Sequence, residues 1–192
     1  MKSLASILLA AALFLSSALA QSPPNTAAMV PNGAGGSGGT ITTCGTASSG
    51  TCAMPYFTAY LSSSQTITTG STVKLQINTK ESDSNTWYDA ATNFRFTPQL
   101  AGRYRVGGNV LCQGTSVTSC YLIIYKNGSP YAEFANTLSN ASVASAVSKT
   151  ITLNGSTDYV ELWLTINCTG TCAAFGATAP EYTWFEASYI SP

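Results

Sequence analysis

The chain has 192 residues, with 8 Lys and Arg, 8 Asp and Glu, and no His. So sparse and balanced a charge argues against nucleic acid or an anionic membrane as partner, since both demand a basic patch. The missing imidazole removes Ser–His and Cys–His catalysis. With 10 Tyr, 7 Phe and 3 Trp the chain also has too much apolar surface to remain disordered.

Lys2 precedes an apolar run from Leu4 to Leu15, broken by Ser6, and Ala18-Leu19-Ala20 closes it with a small-x-small pattern. Residues 1–20 therefore read as a cleaved signal peptide with Gln21 as the new N-terminus. The run is too short for a span, which takes about 20 apolar residues. No membrane insertion is expected, because later apolar stretches are interrupted by Ser, Thr, Asn or Gly. The expected location is secreted or extracellular, meaning periplasm or cell surface in a bacterial host. Cleavage removes Lys2 and leaves seven cations against eight carboxylates.

Residues 21–53 differ in composition from the rest. Pro23-Pro24 and the run Asn32-Gly33-Ala34-Gly35-Gly36-Ser37-Gly38-Gly39 read as a flexible Gly/Ser/Pro-rich tether. Its glycines lack a three-residue period, so it is no collagen stalk. The six cysteines follow the leader in three local couples, Cys44/Cys52, Cys112/Cys120 and Cys168/Cys172. An even count in an exported chain reads as disulfides, and local pairing is expected. Such small loops staple turns and do not create a fold. With no His and no CxxC spacing, a structural zinc site is disfavoured.

From Met54 to Pro192 short β runs alternate with turn chemistry. Tyr56–Leu61 alternates large and small residues. Val73–Ile77 alternates apolar and polar, as a half-buried strand does. Arg103–Cys112 keeps Tyr104, Val106, Gly108, Val110 and Cys112 on one parity, and Gly107-Gly108 signals a bulge or a close backbone approach. Cys120–Lys126 is an apolar strand ending in Asn127-Gly128, the pair favoured in a type I′ hairpin turn. Tyr131–Phe134 returns from it. Ser142–Leu153 and Asp158–Ile166 form another pair joined around Asn154-Gly155, and a last strand runs from about Tyr182 to Ile190. This count and spacing indicate an all-β sandwich or barrel.

Trp87 to Val106 reads W-Y-D-A-A-T-N-F-R-F-T-P-Q-L-A-G-R-Y-R-V. This resembles the central signature of C1q-like domains, carried here by Tyr88, Asp89, Phe96, Thr97, Pro98, Gly102 and Tyr104. Tyr56-Phe57-Thr58-Ala59-Tyr60 is similar to the family's opening strand. Tyr125 to Ser129 is similar to its Lys-Asn-Gly hairpin, Thr157 to Leu162 to its Gly-Asp strand, and Thr183 to Tyr189 to its closing strand. The ordered set covers most of residues 55–190. It implies an antiparallel C1q/TNF-like jelly roll over residues 54–192 and a homotrimer that binds a protein or glycan through apical loops. Tyr56, Tyr60, Trp184 and Tyr189 would pack either at a threefold axis or in an ordinary core. The chain departs from the family pattern in lacking a collagen stalk, in Thr157 for the usual glycine, and in its two extra disulfide loops.

Catalytic chemistry has few candidates, and no cofactor is implied. Glu81 and Asp83 lie two apart in what reads as a polar loop, with Asp89 nearby. They are the candidate carboxylates for glycosidase chemistry or a calcium site, and solvated loop charges explain them better. Asn140, Asn154 and Asn167 open glycosylation sequons, and Asn127 does so with Pro130 directly following. The expected function is a secreted, non-enzymatic recognition or adhesion module. The alternative is a structural subunit of a surface fibre, spike or coat whose jelly roll mediates assembly.

Overall fold

The computed structural model describes residues 54–192, except Leu138 and Glu181. The expected leader, the tether and the Cys44–Cys52 loop lie outside the described residues. Among the described residues twelve strands follow one another: β1 (Tyr56–Tyr60), β2 (Gln65–Ile67), β3 (Thr72–Lys74), β4 (Thr79–Asp83), β5 (Tyr88–Asp89), β6 (Arg95–Phe96), β7 (Ala101–Lys126), β8 (Ser129–Asn136), β9 (Asn140–Asn154), β10 (Val160–Thr169), β11 (Cys172–Ala174) and β12 (Trp184–Ser191). All pairings are antiparallel.

The long β7 explains the architecture. Cys112 and Cys120 are eight residues apart, which in one straight strand would be ~26 Å at ~3.3 Å per residue. Their Cα atoms are 6.2 Å apart. The chain therefore bends sharply between them and passes from one sheet to the other. Its first limb, 101–113, pairs with β9 on one side and with β12 and then β11 on the other. With β1 and β4 beyond β12, this makes the first sheet. The second limb pairs with β8 and β10. β3 and β6 share the far side of β10, with β5 outside β6, completing the second sheet. The result is the expected jelly-roll sandwich.

Period-2 alternation puts the core between the sheets. Phe57, Tyr104, Val106, Ile151 and Phe185 face in from the first, and Leu122, Ile124, Leu162 and Leu164 from the second, all fully buried. Five aromatic rings, Phe57, Tyr88, Phe96, Tyr104 and Phe185, cluster within this core. Phe57 stacks on Tyr88 at 4.5 Å and on Phe96 at 4.7 Å, and Tyr104 meets Phe96 edge-on at 5.7 Å. The two buried phenols remain satisfied: Tyr88 donates to the Ile77 carbonyl and Tyr104 to that of Leu100, each at 2.8 Å. Burial pushes both phenols well above the ordinary tyrosine range, with a smaller push from Asp89 on Tyr88 and from Tyr189 on Tyr104.

Several local expectations are met and others corrected. Asn127 and Gly128 have φ of 52° and 78°, the two positive values a type I′ turn requires. Gly107-Gly108 is a close approach and not a bulge, since register runs evenly through both glycines on both sides. A Cβ on Gly108 would lie 2.7 Å from Leu162 Cδ2, so this glycine sets how closely the sheets meet. The expected strand Val73–Ile77 stops pairing at Lys74. Its alternation persists in burial, because Leu75 still donates to the Leu162 carbonyl and Leu75 and Ile77 stay in the core. Glu81 and Asp83 lie on strand β4, not in a loop. Their polarity misled because β4 is an edge strand, where charged side chains are usual.

Candidate functional site

The two ends of the sandwich differ in chemistry. At one end lie Pro55 at the start of β1, the Trp87–Asp89 segment, Arg95, the Asn127-Gly128 turn and the Asn154–Asp158 turn. Charges here serve the fold. Asp89 accepts the N–H groups of Ala91, Thr92 and Asn93 and the Asn93 amide, closing the turn between β5 and β6. Those bonds, the Thr92 and Ala91 N–H groups foremost, lower its pKa to about 2. Asp83 likewise accepts from the Trp87 and Tyr88 N–H groups and pairs with Lys80 at 3.3 Å. Asp158 takes bonds from Asn127 and the Asn154 N–H and an ion pair to Lys126 at 3.1 Å. Burial alone would raise its pKa, and these partners outweigh it and lower it.

The carboxylates read from sequence as catalytic or calcium candidates thus separate. Asp83 and Asp89 spend their oxygens on backbone turns, while Glu81 stands on the sheet face. No cluster of three or more His, Cys, Asp or Glu with metal-binding geometry occurs among the described residues. The signature residues also share one place and one job. Tyr88 and Phe96 pair across β5 and β6, Pro98 is buried just past β6, and Gly102 leaves room for the Tyr189 ring and the Ser191 carbonyl. They build the base of the sandwich.

The opposite pole carries both described disulfides. Residues 62–71, 112–119, 137–142 and 167–180 contain no charged residue and are dominated by Ser, Thr, Asn, Gly and Ala. Cys112–Cys120 closes the bend of β7, and Cys168–Cys172 closes the turn between β10 and β11. The two rings interlock. A Cβ on Gly114 would stand 2.7 Å from Cys168 Cβ and Sγ, and one on Gly170 (φ 75°) would stand 2.6 Å from Thr115 Oγ1. Each ring's glycine therefore receives the other ring.

Hydroxyls and amides brace the contact further. The Cys168 N–H donates to Thr69 Oγ1 at 3.1 Å, and that hydroxyl donates to the Cys168 carbonyl. Asn167 Nδ2 donates to Ser119 Oγ at 2.7 Å, and Thr118 Oγ1 donates to the Asn167 carbonyl. Ser116 and Ser139 join the β7 bend to the segment before β9. The outcome is a stiff, neutral, hydroxyl-rich surface whose exposed members include Thr68, Thr69, Thr115, Thr118, Asn140, Thr169 and Thr171. The sequence named the two disulfide couples but not their contact. The available signal was one glycine inside each small ring.

The sequon asparagines are not equivalent. Asn154 Oδ1 accepts the N–H groups of Ser156, Thr157 and Asp158 while its Nδ2 donates to Thr157. Asn167 and Asn127 also use their Nδ2 groups internally. Asn140 is exposed; its Oδ1 accepts the Ala141 N–H, and its Nδ2 makes no hydrogen bond among the described residues. Of the aromatics on the terminal strands, Tyr56 is exposed on the outer face of the first sheet. Tyr60 and Trp184 are half-buried and paired in register on that same face. Tyr189 leans edge-on against Tyr104 at 5.3 Å.

No family model matches the chain, and no curated protein matches it. Solved structures of murine APRIL, a jelly-roll protein of the TNF family, do. Structures determined at pH 8.5, 8.0 and 5.0 superpose with TM-scores of 0.54, 0.55 and 0.55 and identities of 8%, 8% and 9%. Each match covers 72% of this chain and 100% of the neighbour. The fold is that of the C1q/TNF-like jelly rolls.

Proposed function

We propose that the protein is an exported, non-enzymatic recognition head, a homotrimer that binds a protein or glycan through the disulfide-braced pole. The observation that carries this reading is the interlock of the two rings. A surface held rigid before contact loses little conformational entropy on binding, which is the main way such surfaces gain affinity. As covalent links the rings add little, since each closes a loop of only a few residues and contributes ~2–3 kcal/mol at most, although Cys112, Cys120 and Cys172 are themselves buried in the core. Their placement at the pole opposite the start of β1 suits presentation to a ligand. The lack of His and the use of Asp83 and Asp89 as turn caps support a head without turnover.

Self-assembly draws support from a different feature. β8 is an edge strand, and its Tyr131 and Phe134 are 47% and 51% exposed. Apolar area on a free edge invites another chain. A closed ring satisfies it, and an open chain of copies would give the fibre or coat subunit instead. Size-exclusion chromatography with light scattering on the secreted protein, followed by a glycan array and a cell-surface binding screen, tests both. The proposal expects a discrete trimer and ligand binding lost on Thr169→Arg plus Thr115→Arg. A monomer would refute the assembly, long polymers would favour the structural subunit, and binding indifferent to those substitutions would refute the pole.

A further inference from the structure

The outer face of the first sheet bears an open notch of about 200 Å³ whose lining includes Thr58, Glu81, Pro180, Trp184 and Glu186. Two carboxylates beside an indole form a receptor for an ammonium or guanidinium group, which gains both charge pairing and attraction to the ring face. Neither Glu81 nor Glu186 makes a salt bridge among the described residues.

A matching cation lies on the same sheet. Lys149 of β9 has the parity of the core residues Val147 and Ile151, yet it is exposed, because β9 is the sheet's edge and its inner side opens at the flank. It makes no salt bridge among the described residues. Its height is set by register. Lys149 pairs with Val106, Val106 pairs with Ala187, and Glu186 is the next residue on β12. Lys149 and Glu186 therefore differ in height by a single ~3.3 Å strand step, with Trp184, opposite Asn109, two residues farther along. In a ring of copies about an axis along the strands, each Lys149 would stand at the height of its neighbour's Glu186. Within one copy the two side chains project from opposite faces of the sheet, Lys149 with the inner parity of Val147 and Ile151 and Glu186 with the outer parity beside the buried Phe185 and Ala187.

We infer that the Glu81–Trp184–Glu186 notch receives Lys149 of a second copy of this chain, fixing the register of a closed ring. The inference rests on the homotrimer proposed above and specifies its contact. Charge swapping in the full secreted chain tests it. Lys149→Glu and Glu186→Lys, both at solvent-accessible positions, should keep the wild-type circular dichroism and thermal midpoint. Each should raise the concentration for half-dissociation at least tenfold, and the double variant should restore assembly. A zero-length carbodiimide, which joins an amine to a carboxylate with loss of water, should link peptides bearing Lys149 and Glu186 or Glu81 in wild type only between chains. A trimer unmoved by either single variant, with no such link, overturns the notch contact while leaving the trimer standing. Lys149 would then serve only as an inward-pointing charge that guards the β9 edge. A monomeric wild type overturns the trimer itself.

Discussion

Replacing Gly108 by Ala probes the closest approach of the two sheets. The added methyl would lie 2.7 Å and 3.0 Å from the Leu162 Cδ atoms and 3.1 Å from the Trp184 carbonyl oxygen. Carbon atoms prefer ~3.5–4.0 Å, so the overlap with Leu162 approaches ~1 Å. Over-packing of this kind costs ~1–3 kcal/mol. Leu162→Ala, in a fully buried side chain, costs ~2–5 kcal/mol through lost transfer energy and a cavity. The two changes are complementary, since the smaller residue at 162 vacates the space the methyl at 108 needs. Urea unfolding of the wild type, both singles and the double should therefore show a favourable coupling of ~1–2 kcal/mol. Recovery stays partial because the Trp184 carbonyl does not move aside. Additivity within ~0.5 kcal/mol would mean that Gly108 and Leu162 do not touch, and the facing of the two sheets would be wrong.

Replacing Cys168 and Cys172 together by Ala should lower stability by ~2 kcal/mol for the lost link of a very small loop, plus the truncation of the buried Cys172. Amide exchange at residues 113–119 should nonetheless accelerate strongly, because Gly114 loses the ring it packs on; unchanged exchange would show that the rings do not brace one another. Acid should destabilise the base of the sandwich. Asp89 has a folded pKa of about 2, below the ~3.9 of an unfolded Asp, so its contribution is full above pH ~4 and fades as pH falls toward 2. Thermal melts should show Asp89→Asn less stable than wild type at pH 6, with the gap closing by pH 2. At the hairpin, Asn127→Gly keeps the positive φ but loses the bonds to Asp158 and the Tyr159 N–H, whereas Asn127→Ala loses both. Denaturation should rank Ala below Gly below wild type, with the Ala variant ~1–3 kcal/mol down.

Most of the sandwich was legible because its long strands obey a strict alternation. Val160, Leu162, Leu164 and Ile166 share one parity in the sequence and are all buried, and the Asn127-Gly128 turn is fixed by two residues that tolerate positive φ. Five strands escaped notice: β2, β4, β5, β6 and β11. β2, β5, β6 and β11 have two or three residues without an alternating run around them, and Thr79–Asp83 is polar because it borders solvent. The continuity of β7 was illegible for another reason. Whether a chain turns back or passes from one sheet to another depends on partners far away in sequence, here β9 and β10.

The site divides in the same way. Cys112, Cys120, Cys168 and Cys172 could be paired by proximity along the chain, but the interlock of Gly114 with Cys168 spans more than fifty residues and leaves no local trace. The signature from Tyr88 to Tyr104 pointed to the fold. Its physical role is to pack the base, with Phe96 between Phe57 and Tyr104, so it carries no information on what the opposite pole binds.

The two surfaces proposed for contact differ in charge, and this makes them separable in one experiment. Across residues 62–71, 112–119, 137–142 and 167–180 there is no charge to screen. A ligand held there relies on hydroxyl and amide hydrogen bonds and on shape, which salt hardly affects. The notch holding Lys149 relies on opposite charges at a rim open to solvent, and screening shortens their reach from ~10 Å at 0.1 M salt to ~3 Å at 1 M. Raising salt from 0.1 to 1 M should therefore weaken assembly several-fold, read by light scattering over a dilution series. The affinity of a single head for its ligand, measured in a monovalent format, should change less than about twofold. A steep salt dependence of ligand binding would mean that the ligand contacts the charged face of the first sheet, and the neutral pole would lose its claim to be the recognition surface.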